Sequence, residues 1–330
     1  MNLDEMDFTQ FQDFRRQWLK ANPKGVDAAD TRVYDWSERF TQNRPVFVEK
    51  SQYRCHLAEE YLNWLALDEI GKTNILISSG VRHSLGIMLK QTGSWIRPND
   101  VYPEYGKIEM ACGAQAMTYS ARAGLPWEML ENSRGWNLLI CDPLKPWGGQ
   151  LDTQKYRRLL STALRQNGMI WVDGAYAKRP HPAVIEAIVE DLPVIWLGSL
   201  SKGWLKPWIL GAVLGHPNVL GQWRVAFQNE KKDTDKLAFA WDLLTNHPQR
   251  PEEVEEICRQ ARIKLLGELD ARGVGMGVSD PGHGYMLRHE LPASKLIEDG
   301  ILALPGSIFI DQEDLWSSQG SILSVVGMGY

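Results

Sequence analysis

The sequence predicts an α/β fold, with a large domain on a mostly parallel sheet and a smaller α+β domain after it. Three observations carry this. Short apolar runs at residues 74–78, 136–141, 169–172 and 194–197, bounded by glycine or polar residues, read as buried strands. Stretches with helical apolar spacing separate most of them, which is the order that builds a parallel sheet. Gly80, the loop 142–149, Asp173 and the stretch 199–202 all follow such runs. In parallel sheets, ligands sit beyond the carboxyl ends of the strands.

Taken in order, Phe8, Phe11, Phe14 and Trp18 give residues 7–20 the spacing of an amphipathic helix in need of a packing surface. Residues 21–49, with Pro23, Gly25 and Pro45, read as loop. Leu57, Tyr61, Trp64 and Leu65 mark a helix over 52–68. The strand at 74–78 turns at Ser79-Gly80 into a helix over 81–91. A helix start in this setting suits an anion, because its first N–H groups have no partner within the helix. Tyr102-Pro103-Glu104-Tyr105 opens a helix that runs to Cys112, and a short strand follows near 117–119. After the strand at 136–141 and its loop, Asp152 caps a helix that reaches Arg165. The strand at 169–172 ends in Asp173. Two further buried strands, at 194–197 and 208–214, enclose a polar turn.

After Pro217 the character changes. Helices are expected near 218–230, 236–245 and 251–271, strands near 284–289, 301–304 and 321–326, and a helix near 293–299. The expected division is an N-terminal segment, 1–49, packing on the small domain or at an interface. A large domain, 50–250, and a small domain, 251–330, follow it.

Composition narrows the function. A net charge of -5 gives no basic footprint for nucleic acid. No apolar run is long enough to span a bilayer, and the acidic N-terminus does not resemble a signal peptide. Cys55, Cys112, Cys141 and Cys258 are scattered, which fits a reduced, cytoplasmic setting and neither a disulfide framework nor a metal site.

The chemistry centres on Ser199-Leu200-Ser201-Lys202-Gly203-Trp204. A lysine between two buried strands is not a solvated charge. Burial disfavours its ammonium form and can make it a nucleophilic amine. Such a lysine forms a Schiff base with a carbonyl substrate or with pyridoxal phosphate. By itself the motif also fits an ordinary loop lysine; other stretches agree with the chemical reading.

Together these stretches resemble the class I/II aminotransferases, fold-type-I pyridoxal-phosphate enzymes, with a distant likeness to histidinol-phosphate aminotransferases. The likeness rests on Val172-Asp173-Gly174-Ala175-Tyr176 and on Ser199-Leu200-Ser201-Lys202, with 29 residues from Asp173 to Lys202. Ser79-Gly80-Val81-Arg82, Tyr102-Pro103-Glu104-Tyr105 and Leu304-Pro305-Gly306-Ser307-Ile308-Phe309 add to it. The resemblance implies roles. Lys202 would hold the cofactor, pyridoxal 5'-phosphate, and shuttle the substrate proton. Asp173 would pair with the ring nitrogen, Tyr176 with the ring hydroxyl, and Tyr102 would stack on the ring. Gly80, Val81 and Arg82 would offer backbone N–H groups to the phosphate, and Ser199 and Ser201 hydroxyls. The resemblance also implies a homodimer acting on a small-molecule substrate, an amino acid or an amine.

The chain departs from the family at four places. Lys145 replaces the asparagine expected at the ring hydroxyl, and Lys206 is the one cation where the phosphate arginine is expected. Ile322 stands where an arginine would clamp the substrate carboxylate, and the segment around 99–103 is short. The expectation is therefore a transaminase-like enzyme with unusual substrate recognition. The alternatives are decarboxylation, elimination or cyclisation of an unusual amino acid in specialised metabolism, or a non-catalytic binding protein on the same fold.

Overall fold

The computed structural model describes residues 2–30, 50–144, 149–203, 210–230, 234–282, 284–310 and 320–328. In chain order the elements are α1 (Phe8–Ala21), β1 (Val26–Asp27), α2 (Lys50–Leu65), β2 (Ile75–Ser78), α3 (Val81–Thr92), β3 (Ser94–Pro98), α4 (Glu104–Cys112) and β4 (Gln115–Tyr119). Then come α5 (Trp127–Asn132), β5 (Asn137–Cys141), α6 (Thr153–Gln166), β6 (Met169–Gly174), α7 (Pro182–Val189), β7 (Val194–Ser199), α8 (Leu200–Gly203) and β8 (Gly211–Gly215). The chain continues through α9 (Pro217–Asn229), α10 (Thr234–Asn246), α11 (Arg250–Ala271), β9 (Val278–Ser279), β10 (Met286–His289), α12 (Ala293–Leu296), β11 (Ile301–Leu302), β12 (Leu304–Pro305) and β13 (Ser321–Ser324).

Seven strands form the main sheet in the order β2-β8-β7-β6-β5-β3-β4. Strands β3 to β7 run parallel, and β8 is antiparallel to both of its neighbours. The apolar runs alternate cleanly between the two faces. Leu138, Ile140, Ile170, Val172, Val194 and Trp196 point to the face covered by α2, α6, α7 and α10. Leu139, Trp171, Ile195, Leu197 and Val213 point to the opposite face, under α3, α4 and α9. Strands buried on both faces must read as continuous apolar runs, which is why these were visible in the sequence. Trp171 is fully buried, and truncating it to alanine would cost about 3–5 kcal/mol.

The smaller core gathers α11, α12 and a four-stranded antiparallel sheet in the order β12-β13-β10-β9. Leu3, Met6, Phe11, Val26 and Ala28 belong to the same core. The aromatic face of α1 thus finds its packing surface within the chain, and β1 pairs with β11 in parallel. Arg15, buried on α1, forms ion pairs with Asp27 and Asp30 that tie the helix to the segment after it. A buried guanidinium needs such carboxylates.

Four local expectations change. Residues 94–98, not expected as a strand, form β3; its buried Arg97 ion-pairs with Glu109 of α4 at 2.7 Å, so the charge lies within the fold. Residues 182–189 form α7, with Pro182 in its first turn and His181 as N-cap. The polar turn expected around Lys202 is helical, α8. The single strand expected at 301–304 divides, β11 joining β1 and β12 joining β13.

Candidate active site

Parallel strands deliver the site residues to one edge of the main sheet. Asp173 and Leu197 are partners in register across β6 and β7, and β7 leads directly into α8, which carries Lys202. Asp173 Oδ2 accepts a hydrogen bond from Tyr105 Oη at 2.6 Å, and Oδ1 accepts one from the Ala175 N–H at 2.9 Å. Burial raises the Asp173 pKa, while the Tyr105 hydroxyl, the Ala175 N–H and the Lys202 charge pull it back. Tyr105 Oη also lies 3.0 Å from Cys141 Sγ. Burial pushes both the Tyr105 phenol and the Cys141 thiol well up, so both stay protonated and available as donors.

Lys202 Nζ donates to Tyr285 Oη at 3.3 Å, and Tyr285 Oη donates to Tyr176 Oη at 2.9 Å. The amine lies 5.0 Å from the centre of the Tyr176 ring and 5.9 Å from that of Tyr285. Tyr285 comes from the smaller core, immediately before β10. A cavity of about 340 Å³ opens beside this group, with Trp64, Ala175, Ser199, Lys178, Val254 and Glu255 in its walls. Lys178 holds Glu252 and Glu255 of α11 at 3.0 Å, joining the two lobes beside the cavity.

On the other side, β2 turns at Gly80 into α3. Gly80 has φ +125° and nothing within 4 Å of where a Cβ would stand. That backbone favours glycine, and the missing side chain leaves room for a bound group. No side chain caps α3, so its first N–H groups face outward unmatched by a cap. Gly80 N–H itself donates to Ser78 Oγ at 3.2 Å, so of the three residues expected to offer N–H groups, Val81 and Arg82 remain as donors. A Cβ on Gly211 would stand 2.5 Å from Gly198 O and 3.0 Å from Gly80 Cα, so β8 can lie against this turn only as glycine.

The Arg82 side chain pairs with Glu104 at 2.8 Å. Tyr102 is 40% exposed, yet enough protein surrounds its hydroxyl to raise the phenol's pKa, first through burial and then through Glu104; Lys202 and Arg82 oppose this. Ser199 Oγ accepts from the Ser201 N–H at 3.2 Å, fixing the turn into α8. The structure thus brings Tyr102, Asp173, Tyr176, Ser199, Ser201 and Lys202 to one edge, with the Gly80–Arg82 turn at the end of neighbouring β2. Lys145 and Lys206 lie outside the described residues. Sequence reasoning missed Tyr105 and Tyr285. Tyr105 stood in a quoted motif, but nothing marked its hydroxyl.

Ile322, expected from the resemblance to stand where an arginine would clamp the substrate carboxylate, is fully buried in the smaller core. Arg288 stands directly opposite it across β10 and β13. Burial, and then the Arg122 guanidinium, push the Arg288 pKa down, with Glu290 opposing. Among the described residues no helix is long and apolar enough to cross a membrane.

This geometry fits pyridoxal phosphate: an amine, a buried carboxylate held by donors, and a glycine turn at an uncapped helix start. Comparisons with known proteins agree. The family model for aminotransferase class I and II matches residues 51–315. No curated protein matches in sequence. The fold is similar to that of a probable N-succinyldiaminopimelate aminotransferase from Thermus thermophilus, with TM-score 0.71 and 17% identity over 96% of this chain and 94% of that one. It is similar to substrate-bound BacF from Bacillus subtilis, with TM-score 0.71 and 17% identity over 99% and 93%. It is also similar to the α-aminoadipate aminotransferase LysN from Thermus thermophilus, complexed with N-(5'-phosphopyridoxyl)-L-leucine, with TM-score 0.68 and 18% identity over 94% and 91%. At these identities the likeness speaks to the fold.

Proposed function

The chain belongs to the aminotransferase class I and II family and is a pyridoxal-phosphate-dependent, aminotransferase-like enzyme; within it we propose that Lys202 holds the cofactor covalently and then serves as the proton-carrying base. The observation that carries this is the Lys202 amine, held between Tyr176 and Tyr285 beside the strand that delivers Asp173. When bound, the cofactor supplies an aldehyde for the amino group and a ring that withdraws electrons from the substrate carbon. Asp173, whose pKa burial raises and the Tyr105 and Ala175 donors pull back, would pair with the ring nitrogen and favour its protonated form. Tyr176 would hydrogen-bond the ring hydroxyl, and Tyr102 would stack on the ring. Val81 and Arg82 N–H groups and the Ser199 and Ser201 hydroxyls would bind the phosphate, with Gly80 shaping the turn. Borohydride reduction of the cofactor-loaded protein followed by peptide mapping is expected to place the label on Lys202. A label on another lysine would overturn the assignment.

The substrate is an amino compound other than the common α-amino acids. Support comes from the buried Ile322, since an aliphatic side chain cannot replace a bidentate guanidinium. The same observation favours a second reading, breakage of a different bond in an unusual amino acid within specialised biosynthesis. Release of a 2-oxo acid during turnover distinguishes transamination from it. The resemblance further supports a cytoplasmic homodimer; a single monomeric species in sedimentation of loaded protein would contradict the dimer.

A further inference from the structure

Tyr285 is the side chain through which the smaller lobe touches the Lys202 amine. It is 5% exposed, and its ring lies 5.6 Å from that of Tyr176 at 48°. Its backbone is fixed on both sides. Tyr285 O accepts from the Val325 N–H at 2.9 Å, and the preceding Gly284 O accepts from the buried Arg262 guanidinium at 2.6 Å. Arg262 lies on α11 and Val325 follows β13, so two small-lobe elements set where this hydroxyl stands. The large lobe sets where Lys202 stands, through β7 and α8. The contact at 3.3 Å therefore exists only when the two lobes are correctly apposed.

We propose that Tyr285 is a catalytic residue that orients the Lys202 amine and stabilises its protonated form, and that the small lobe thereby takes part in proton transfer. This rests on the assignment of Lys202 as the cofactor lysine. When the amine takes the proton from the substrate carbon, Nζ becomes an ammonium and donates to Tyr285 Oη. The Tyr285 hydroxyl keeps its own proton and donates it to Tyr176 Oη, so no charge moves beyond Nζ. The faces of both rings add cation–π attraction at 5.0 Å and 5.9 Å. Returning the proton from Nζ restores the neutral amine. Nothing in the sequence pattern marks this tyrosine, and the family motifs quoted above do not include it.

The test uses the full chain and two readouts. Tyr285→Phe keeps the ring and its packing and removes only the hydroxyl. In cofactor-free protein at neutral pH, Lys202 of the variant is expected to react several-fold faster with trinitrobenzenesulfonate, because its ammonium loses an acceptor. In loaded protein, the fastest donor of an amine and amino-acid panel is expected to show kcat reduced about 10- to 100-fold with little change in KM. Tyr176→Phe, which leaves the direct contact in place, is expected to change the labelling rate less. Unchanged labelling and unchanged kcat in Tyr285→Phe, with borohydride label still on Lys202, would overturn the role of Tyr285 alone. Label on a different lysine in the parent protein would overturn the Lys202 assignment itself.

Discussion

The two lobes build their shares of the site in different ways. The large lobe places Asp173 at the end of a buried parallel strand and Lys202 in the short helix after the next one. The smaller lobe presents Tyr285 and Arg288 along one antiparallel strand and its approach, opposite a fully buried Ile322. In the first, function sits where an apolar run stops, so local pattern reveals it. In the second, it depends on which strands pair, and pairing joins residues distant in sequence. On the proposed reading, the large lobe carries the residues that would hold the cofactor, whereas the small lobe differs where a substrate carboxylate would be held.

The sharpest way to break this comparison is at the amine. Lys202→Ala is expected to abolish covalent cofactor attachment and to lower kcat on the order of 10⁴-fold, since it removes both nucleophile and base. The absorbance spectrum of the purified variant and its turnover check this. Substantial residual turnover would move the chemistry away from β7. Asp173→Ala comes next, with a loss of about 100- to 1,000-fold in turnover and weaker cofactor retention, because the electron sink itself is affected. Tyr176→Phe removes a single hydroxyl and is expected to cost about tenfold. Equal losses in the two variants would remove the ranking.

How much was legible follows the same line. Strands β5, β6, β7 and β8 announced themselves because burial on both faces demands unbroken apolar runs. Asp173 and Lys202 were found with them. Strand β3 was hidden because Arg97 and Pro98 break its pattern, and the charge is met by Glu109 on a later helix. Helix α7 begins with a proline and is apolar over most of its surface, so it shows little helical stripe. Tyr105 lies 68 residues from Asp173, and Tyr285 lies 83 residues from Lys202. No local spacing connects such pairs. The aromatic face of α1 signals a packing surface without saying which, and the smaller core of the same chain covers Phe11.

Tyr105 sharpens the account of the large lobe. Its hydroxyl holds the Asp173 pKa below what burial alone would give, so Tyr105→Phe should raise that pKa further. On the role proposed for Asp173 the ionised carboxylate is the working form, and it is lost as pH falls through the folded-state pKa. The acid limb of the pH–rate profile should therefore move to higher pH in the variant, with turnover at neutral pH reduced about tenfold or less. An acid limb that stays in place would show that Asp173 does not depend on this donor.

The smallest expected effect concerns Arg288, and it leads to the test of the central claim, that the cofactor-holding half is retained while carboxylate recognition has changed. Common α-amino acids, assayed with 2-oxoglutarate as acceptor beside a set of amines, measure this directly in the cofactor-loaded protein. The account predicts full cofactor loading and slow turnover of the common amino acids, with KM raised roughly 100-fold over that expected with a paired carboxylate. Arg288→Ala should weaken the remaining carboxylate donors further and leave simple amines unchanged. Rapid turnover of several common amino acids, unaffected by Arg288→Ala or Lys145→Ala, would contradict the account and make this an ordinary transaminase.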